Sequence, residues 1–224
     1  QHGVSRVTVR RAMEALQTTG LVERKAGVGT VVLEQPLDAT VMTASVSNLM
    51  PNMVKMSQAS QVRLLEFAYV LPPEMIRERL GMGQGGKVQR SVRVRMVDDK
   101  PFSHLVTHVP EAIALHYNEM DLANTPLFVL LERSGVKVDH ASQSISATLA
   151  SHEVAEALDV AVGSPLISLT RVVFDEQGRG VEHLDALYRP DRYRFQIDLE
   201  RNGDGNSRYW EPKVGGVPTS GKAE

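Results

Sequence analysis

The start of the chain combines a helical hydrophobic pattern with two short strand patterns. Between positions 6 and 19, apolar residues recur at the spacing of one buried helix face. Four apolar residues form that face: Val9, Ala12, Met13 and Leu16. Ser5 is a favourable N-cap for this helix, and Gly20 ends it. Residues 21–25 and 30–33 then predict a β-hairpin.

Short strand and helix patterns alternate from position 61 onwards. Seven segments have the pattern of strands: 61–71, 87–97, 101–109, 138–150, 166–174, 181–188 and 193–199. Three segments have helical patterns: 73–80, 126–134 and 153–158. Because hairpin connections outnumber strand–helix–strand crossovers, we expect an antiparallel sheet with flanking helices, which belongs to the α+β class.

Two breaks in this pattern divide the chain. Residues 34–46 have little periodicity, which is typical of a linker, and residues 202–224 are rich in Gly, Pro and Ser, which favours a flexible tail. We therefore expect a small domain at 1–33 and a larger one at 47–201. Because Gln1-His2-Gly3 resembles the end of a helix with its glycine stop, we also expect the natural N-terminus to lie upstream.

Charge and composition narrow the function classes. The chain of 224 residues has a net charge of -2, yet residues 1–33 carry five basic and two acidic side chains. A small basic domain on an acidic body is typical of a two-domain regulator that binds nucleic acid. The absence of cysteine excludes disulfides and thiolate zinc sites and fits a reducing cytoplasm. We find no apolar run of membrane-spanning length and no secretory signal pattern.

The predicted N-terminal helix carries candidate DNA-binding residues. Arg6 and Arg10 are four residues apart and share the face opposite the apolar stripe. In a helix-turn-helix such early exposed residues enter the major groove, where arginine can bind guanine through two hydrogen bonds. Ser5 and Thr8 are placed to bind phosphate oxygens. Residues 27–30 lack bulky side chains, so this hairpin tip can approach DNA closely. The alternative is that the arginines only solvate an amphipathic helix.

The ordered motif Ser5-Arg6-Val7-Thr8-Val9-Arg10-Arg11-Ala12, then Leu16, Gly20-Leu21 and Gly27-Val28-Gly29-Thr30 resembles one family closely. It is similar to the second half of the winged helix-turn-helix of GntR regulators, whose first helix and most of the second are absent here. The resemblance implies operator contacts by Arg6, Thr8, Arg10 and the wing glycines Gly27 and Gly29. We expect Ser5, Arg11 and Thr30 to contact the DNA as well.

The larger domain resembles the UTRA effector domain of the HutC/FarR branch of the same family. The resemblance depends on a series of short motifs: Arg93-Val94-Arg95, Thr107-His108-Val109-Pro110, 127–135, 143–147, 163–171 and Tyr188-Arg189-Pro190-Asp191-Arg192-Tyr193. It implies a chorismate-lyase-like fold, in which helices flank a central antiparallel sheet. It also implies small polar ligands, often phosphorylated or carboxylated.

The predicted strand 87–97 carries a candidate anion site. Arg93 and Arg95 are two residues apart, so both side chains point to one face. Two guanidiniums on one face are unfavourable unless water or an anion accompanies them. The resemblance implies that both line the effector site. The alternative is that they lie on a solvent face and pair with Asp98 or Glu66.

Two later strands add candidates for the same site. Glu182 and Tyr188 share a face of strand 181–188, where they would offer an acceptor and a donor to hydroxyl or amine groups. The resemblance implies that both contact the effector. Ser144 and Ser146 share a face of strand 138–150, and we expect their hydroxyls to add effector contacts.

Other polar residues have simpler interpretations. Arg189, Asp191 and Arg192 fall in a turn, where we expect an ion-paired structural corner. His104 and His108 are four residues apart on a predicted strand, which separates them by roughly 13 Å. That distance is too long for one metal ion, so we expect no metal site, and we expect no cofactor.

These features predict a ligand-responsive transcription regulator, a repressor that leaves its operator when a small anionic metabolite binds. Its partners would be double-stranded operator DNA, a phosphorylated or carboxylated effector, and a second copy in a homodimer that reads two half-sites. One alternative is a chorismate-lyase-like enzyme acting on a small carboxylate, although no nucleophile–base pair stands out. The other is a structural or oligomerisation module.

Overall fold

The chain forms two compact units, Gln1–Val41 and Met42–Glu224. The computed structural model describes residues 5–18, 22–25, 29–32, 42–45, 60–197, 199–203 and 208–213. In these ranges no helix is both long enough and apolar enough to cross a membrane.

The N-terminal unit contains one helix and one hairpin. Helix α1 spans Arg6–Thr18, and strands β1 (Val22–Lys25) and β2 (Gly29–Val32) pair antiparallel. The predicted N-cap is confirmed, because the Ser5 hydroxyl accepts a hydrogen bond from the Thr8 backbone N–H at 3.2 Å.

The apolar stripe of α1 faces solvent. Val9 and Leu16 are 48% and 38% exposed, Ala12 is also exposed, and Met13 is half-buried. The prediction of a buried face is therefore wrong for three of its four residues. The described part of this unit consists of one helix and one two-stranded hairpin, and it contains no further element that would cover the stripe.

The larger unit is an antiparallel sheet with short helices. Its strands are β3 (Met42–Ser45), β4 (Gln61–Val70), β5 (Val88–Val97), β6 (Lys100–Pro110), β7 (Val138–Leu149), β8 (Pro165–Asp175), β9 (Gly180–Tyr188), β10 (Tyr193–Gln196), β11 (Leu199–Asn202) and β12 (Tyr209–Pro212). Its described helices are α2 (Glu74–Arg79), α3 (Glu111–Ala114), α4 (Glu119–Asn124), α5 (Leu127–Arg133) and α6 (His152–Leu158). Six strands form one sheet in the order β4-β5-β6-β9-β8-β7, with antiparallel neighbours throughout. The predicted α+β class is confirmed.

Aspartate residues in the turns close two hairpins of this sheet. Asp98 and Asp99, with φ of 49° and 58°, form the tight turn between β5 and β6. The buried Asp175 carboxylate accepts hydrogen bonds from the backbone N–H groups of Gln177 and Arg179 at 3.0 and 2.9 Å, which closes the β8–β9 turn. Such turns set the strand register on which the functional site depends.

The register gives the sheet two faces, because directly paired residues of neighbouring strands point to the same side. One row of paired residues defines the front face: Arg93, Leu105, Ala186, Leu169 and Ile145. The next row defines the back face: Val94, His104, Leu187, Ser168 and Ser146.

Different elements cover the two faces. Helices α3, α4 and α5 pack on the front face around Phe67 and Val109, and strand β10 packs on it through Tyr193. On the back face, α6 packs against Leu187 and α2 packs against Val88. Each face therefore has its own hydrophobic core.

Some segments differ from the sequence prediction. Met42–Ser45, at the end of the predicted linker 34–46, forms β3 and pairs in parallel with β10. Tyr209–Pro212, in the predicted tail 202–224, pairs with β11. Helices α3 and α4 occupy a stretch in which we predicted no element. Local periodicity does not reveal pairings between distant segments or helices of one turn. The other predicted domain boundaries stay predictions.

Replacing Gly180 by alanine should destabilise the larger unit. A Cβ added at Gly180 would approach the Leu80 Cα to 2.5 Å. Because backbone cannot yield as a side chain does, we expect Gly180→Ala to lower the free energy of unfolding by about 1–3 kcal/mol, measured by urea denaturation. Gly83→Ala is the control, since an added Cβ there has nothing within 4 Å. Equal stability of the two variants would contradict the close packing at Gly180.

Candidate ligand-binding site and DNA-binding segment

Two arginines of β5 lie together on the front face. Arg93 is 3% exposed and donates a hydrogen bond to the Thr107 hydroxyl at 3.3 Å, while its Nε has no partner among the described residues. Arg95 is half-buried, and its Nη1 donates to the Ser60 hydroxyl at 3.0 Å. The pairing of β5 with β6 places both side chains on one face, as their spacing predicts.

Burial makes the charged forms of these arginines unfavourable. Desolvation lowers the pKa of Arg93, against a smaller opposing effect of Glu182. Desolvation and the like charge of Arg93 lower the pKa of Arg95 to about 10. Because arginine keeps its proton in proteins, the sheet holds two neighbouring positive charges, one buried and one half-buried. This arrangement favours a bound anion.

Glu182 and Tyr188 of β9 lie on the same front face, and both are 6% exposed. Burial raises the pKa of Glu182, although the positive charges of Arg171 and Arg93 act in the opposite direction. Burial also raises the pKa of Tyr188, whose ring stacks on that of Tyr193 with 3.9 Å between the centroids. The structure therefore places an acidic and a phenolic group on the face that carries the arginine pair.

Sequence reasoning missed further polar residues of the front face. Arg171 of β8 is 7% exposed and donates two hydrogen bonds to the side-chain oxygen of Gln143, at 2.8 and 2.6 Å. Tyr117, between α3 and α4, donates to the side-chain oxygen of Gln89 at 3.4 Å, and burial raises its pKa. Their positions depend on strand register and on helix packing, for which the sequence carries no local signal.

A cleft of about 290 Å³ opens beside Arg95. Its lining includes Ser60, Asn124 and Thr125, so hydroxyl and amide groups surround one side of the guanidinium. Groups of this kind bind phosphate and carboxylate oxygens. An anion that enters the cleft would therefore meet both a positive charge and neutral donors.

Ser144 and Ser146 do not join the other predicted effector residues. Ser144 pairs with Thr170 and Ser146 with Ser168, and both pairs belong to the back face. Gln143 takes the front-face position on this strand. Equal spacing along a strand shows which residues share a face, but pairing with the neighbouring strands decides which face that is. The prediction that these two serines belong to the front-face site is therefore wrong.

The solvent-face alternative for the arginine pair is wrong. Glu66 forms its ion pair with Arg90, which lies on the back face of β5. Asp98 lies in the turn that follows β5. The burial of Arg93 excludes a position on a solvent-exposed face.

The remaining polar predictions concern structural residues. Arg189 forms two hydrogen bonds of 3.2 and 2.7 Å with the Asp191 carboxylate and donates to the Leu158 carbonyl at 3.1 Å. The predicted ion-paired corner is therefore confirmed for Arg189 and Asp191, while Nε of Arg192 has no hydrogen-bond partner among the described residues. His104 and His108 are buried on the back face. No group of three or more His, Asp or Glu residues in the described ranges is arranged to hold a metal ion.

The DNA-binding segment is described in part. Six predicted contact residues are exposed to solvent: Ser5, Thr8, Arg10, Arg11, Gly29 and Thr30. The Arg10 guanidinium lies 3.6 Å from the Glu14 carboxylate, and Gly29 has a φ of 102° that favours glycine. Gly27 and the side chain of Arg6 lie outside the described residues.

Comparison with known proteins identifies both units. Residues 55–194 match the family described as "UTRA domain", and residues 1–32 match "Bacterial regulatory proteins, gntR family". The chain is 27% identical over 202 residues to the HTH-type transcriptional repressor NagR of Bacillus subtilis, covering 90% of this chain and 82% of that protein. It is 31% identical over 213 residues to the HTH-type transcriptional regulator Rv0792c of Mycobacterium tuberculosis, covering 91% and 76%.

A solved structure agrees with the sheet described above. The crystal structure of a GntR-family transcriptional regulator from Enterococcus faecalis superposes with a TM-score of 0.57 and 27% identity, over 61% of this chain and 99% of that one. The chain belongs to the UTRA-containing branch of the GntR regulators. It is a ligand-responsive transcription repressor and not an enzyme, as the sequence predicts.

Proposed function

We propose that this repressor binds its operator as a homodimer in the bacterial cytoplasm and leaves the DNA when a small phosphorylated or carboxylated metabolite binds the front face. One observation supports this effector class: a buried arginine, Arg93, and a half-buried one, Arg95, lie next to each other on one face of the sheet. Desolvated positive charge is stabilised most effectively by an anion that also accepts hydrogen bonds.

The charge balance of the front face supports this effector class. Glu182 interacts electrostatically with both Arg93 and Arg171. Arg95 adds a further positive charge beside Arg93. A phosphate or carboxylate group would supply both negative charge and several acceptor oxygens.

The groups around the arginines indicate what else the effector carries. Glu182 can accept a hydrogen bond from a hydroxyl or amine, and the Tyr188 hydroxyl can donate one. Thr125 and Ser60 add hydroxyls in the cleft beside Arg95. A hydroxylated or aminated metabolite with one anionic group fits this set better than a purely apolar acid does.

A stacked tyrosine pair supports a route from the effector to the DNA-binding unit. Tyr188 stacks on Tyr193, which begins β10, and β10 pairs with β3. Strand β3 begins where the N-terminal unit ends in the chain. An effector that shifts Tyr188 would therefore shift β10 and, through it, β3, which follows the N-terminal unit in the chain. Release requires the effector to bind one arrangement more tightly than the other.

The exposed edge of the sheet supports the homodimer. Strand β7 lies at one end of the strand order, and nearly all of its twelve residues are exposed. Val138, Ile145 and Leu149 are 39%, 41% and 67% exposed. An edge strand with apolar side chains is suited to pairing with another strand, and a second copy of the chain supplies a matching one.

We expect Arg93→Met to remove the effector response and to keep operator affinity. Methionine retains much of the side-chain length but removes the charge that would bind the anion. Because charge-assisted hydrogen bonds contribute about 1.5–3 kcal/mol, the concentration for half-release should rise at least about tenfold. Anisotropy of labelled operator DNA, titrated with sugar phosphates and hydroxylated carboxylates, measures this change.

Arg90→Met is the matched control for that experiment. Arg90 lies on the same strand, but on the back face and paired with Glu66. The control should release its operator at wild-type effector concentrations. Unchanged release by Arg93→Met would remove Arg93 from the effector site.

We expect Arg10→Ala in the full-length regulator to weaken specific operator binding by about 1–3 kcal/mol, because it removes a bidentate contact to guanine. Footprinting and anisotropy measure the effect, and the wild-type footprint should cover two half-sites related by two-fold symmetry. Arg194→Ala, an exposed arginine of the larger unit, is the control. An Arg10→Ala footprint as strong as that of the control would exclude a base-reading role.

A further inference from the structure

A second polar cleft lies on the back face of the sheet, opposite the proposed effector site. It has a volume of about 360 Å³ and is lined by Arg79, Ser142, Ser144, Thr170, Val172 and Phe174. Strand pairing joins Ser142 to Val172 and Ser144 to Thr170, and both pairs lie on the back face. The sheet itself therefore separates this cleft from Arg93 and Glu182.

Arg79 is held in this cleft by a buried histidine. Its Nη1 lies 3.1 Å from Nε2 of His183, which is fully buried. Because arginine can only donate, Nε2 is the acceptor and the ring proton belongs on Nδ1, which lies 3.6 Å from the Asp185 carboxylate. One hydrogen bond thus orients a guanidinium that has five N–H donors in total, and the remaining donors are available to a ligand.

The hydroxyl groups of the cleft have different roles. Ser142 and Ser144 are exposed, and their hydroxyls can donate to an anion. The Thr170 hydroxyl donates to the Asp185 carboxylate at 2.8 Å, so toward the cleft it can only accept. Asp185 accepts from Thr170 through one carboxylate oxygen, and its other oxygen lies 3.6 Å from Nδ1 of His183. The cleft therefore combines an anion-binding side with one hydrogen-bond acceptor.

We propose that this back-face cleft is a second binding site, for a small phosphate monoester that also carries a hydroxyl group. Arg79, Ser142 and Ser144 bind the phosphate oxygens, and Thr170 accepts from the ligand hydroxyl. Val172 and Phe174 form the apolar base of the cleft. The volume lies within the usual range for small-molecule sites. The serine hydroxyls of β7 thus serve a ligand of the back face.

The test is a titration of the isotope-labelled full chain with inorganic phosphate and with glycerol 3-phosphate, followed by backbone amide shifts. Both should shift the amides of Ser142, Ser144 and Thr170, and glycerol 3-phosphate should bind several-fold more tightly. Arg79→Gln should weaken binding about tenfold or more, because it removes the charged donor. Ser144→Ala, on the exposed edge strand, should weaken it about threefold.

Arg77→Gln is the matched control, since Arg77 lies on the same helix but pairs with Glu74 outside the cleft. Its affinity for both phosphates should equal that of the wild type. Shifts confined to the surroundings of Arg95 would place phosphate only on the front face and overturn the proposal. Cleft shifts that persist unchanged in Arg79→Gln and Ser144→Ala would also overturn it. Equal affinity for the two phosphates would overturn the role given to Thr170.

Discussion

The fold must accommodate two positive charges side by side on one strand, one of them buried and the other half-buried. Arg93 and Arg95 follow one another on the same side of β5, and burial disfavours the charged state of each. A strand in the middle of an antiparallel sheet cannot turn these side chains outward without moving its whole apolar set to the wrong face. Glu182 and Thr107 offset part of the resulting free energy. The remaining positive charge favours an anion as the ligand of this face.

On the opposite face of the same sheet, two arginines have partners close by. Arg90 pairs with Glu66, and the neutral ring of His183 accepts from Arg79. Desolvation lowers the pKa values of the buried His104, His108 and His183, so the uncharged rings are the stable forms there. The Arg93–Arg95 pair of the front face therefore lies opposite a face on which Arg90 is ion-paired and Arg79 keeps its positive charge beside a neutral ring.

The sequence predicted features that depend on local order and left open those that depend on register. The shared face of Arg93 and Arg95, the hairpin turn at Asp98-Asp99 and the Ser5 cap follow from neighbours within a few residues. The side of the sheet on which Ser144 lies follows from its pairing with Thr170, which is far away in the chain. Arg171 and Tyr117 reach the front face for the same reason. The pairing of β3 with β10 joins segments that no local pattern connects.

The proposed recognition of negative charge by the front face can be tested by thermal unfolding of the full chain with sugar phosphates and with the parent sugars at equal concentrations. A ligand that binds only the folded state raises the unfolding temperature with its concentration. At least one sugar phosphate should raise it while its parent sugar does not. In Arg79→Gln, which removes the charged donor of the back-face cleft, the shift should remain, and it should disappear when Arg93→Met is added to that variant. Equal stabilisation by charged and uncharged sugars, or a shift that survives in the variant carrying both Arg79→Gln and Arg93→Met, would show that the front face does not recognise negative charge.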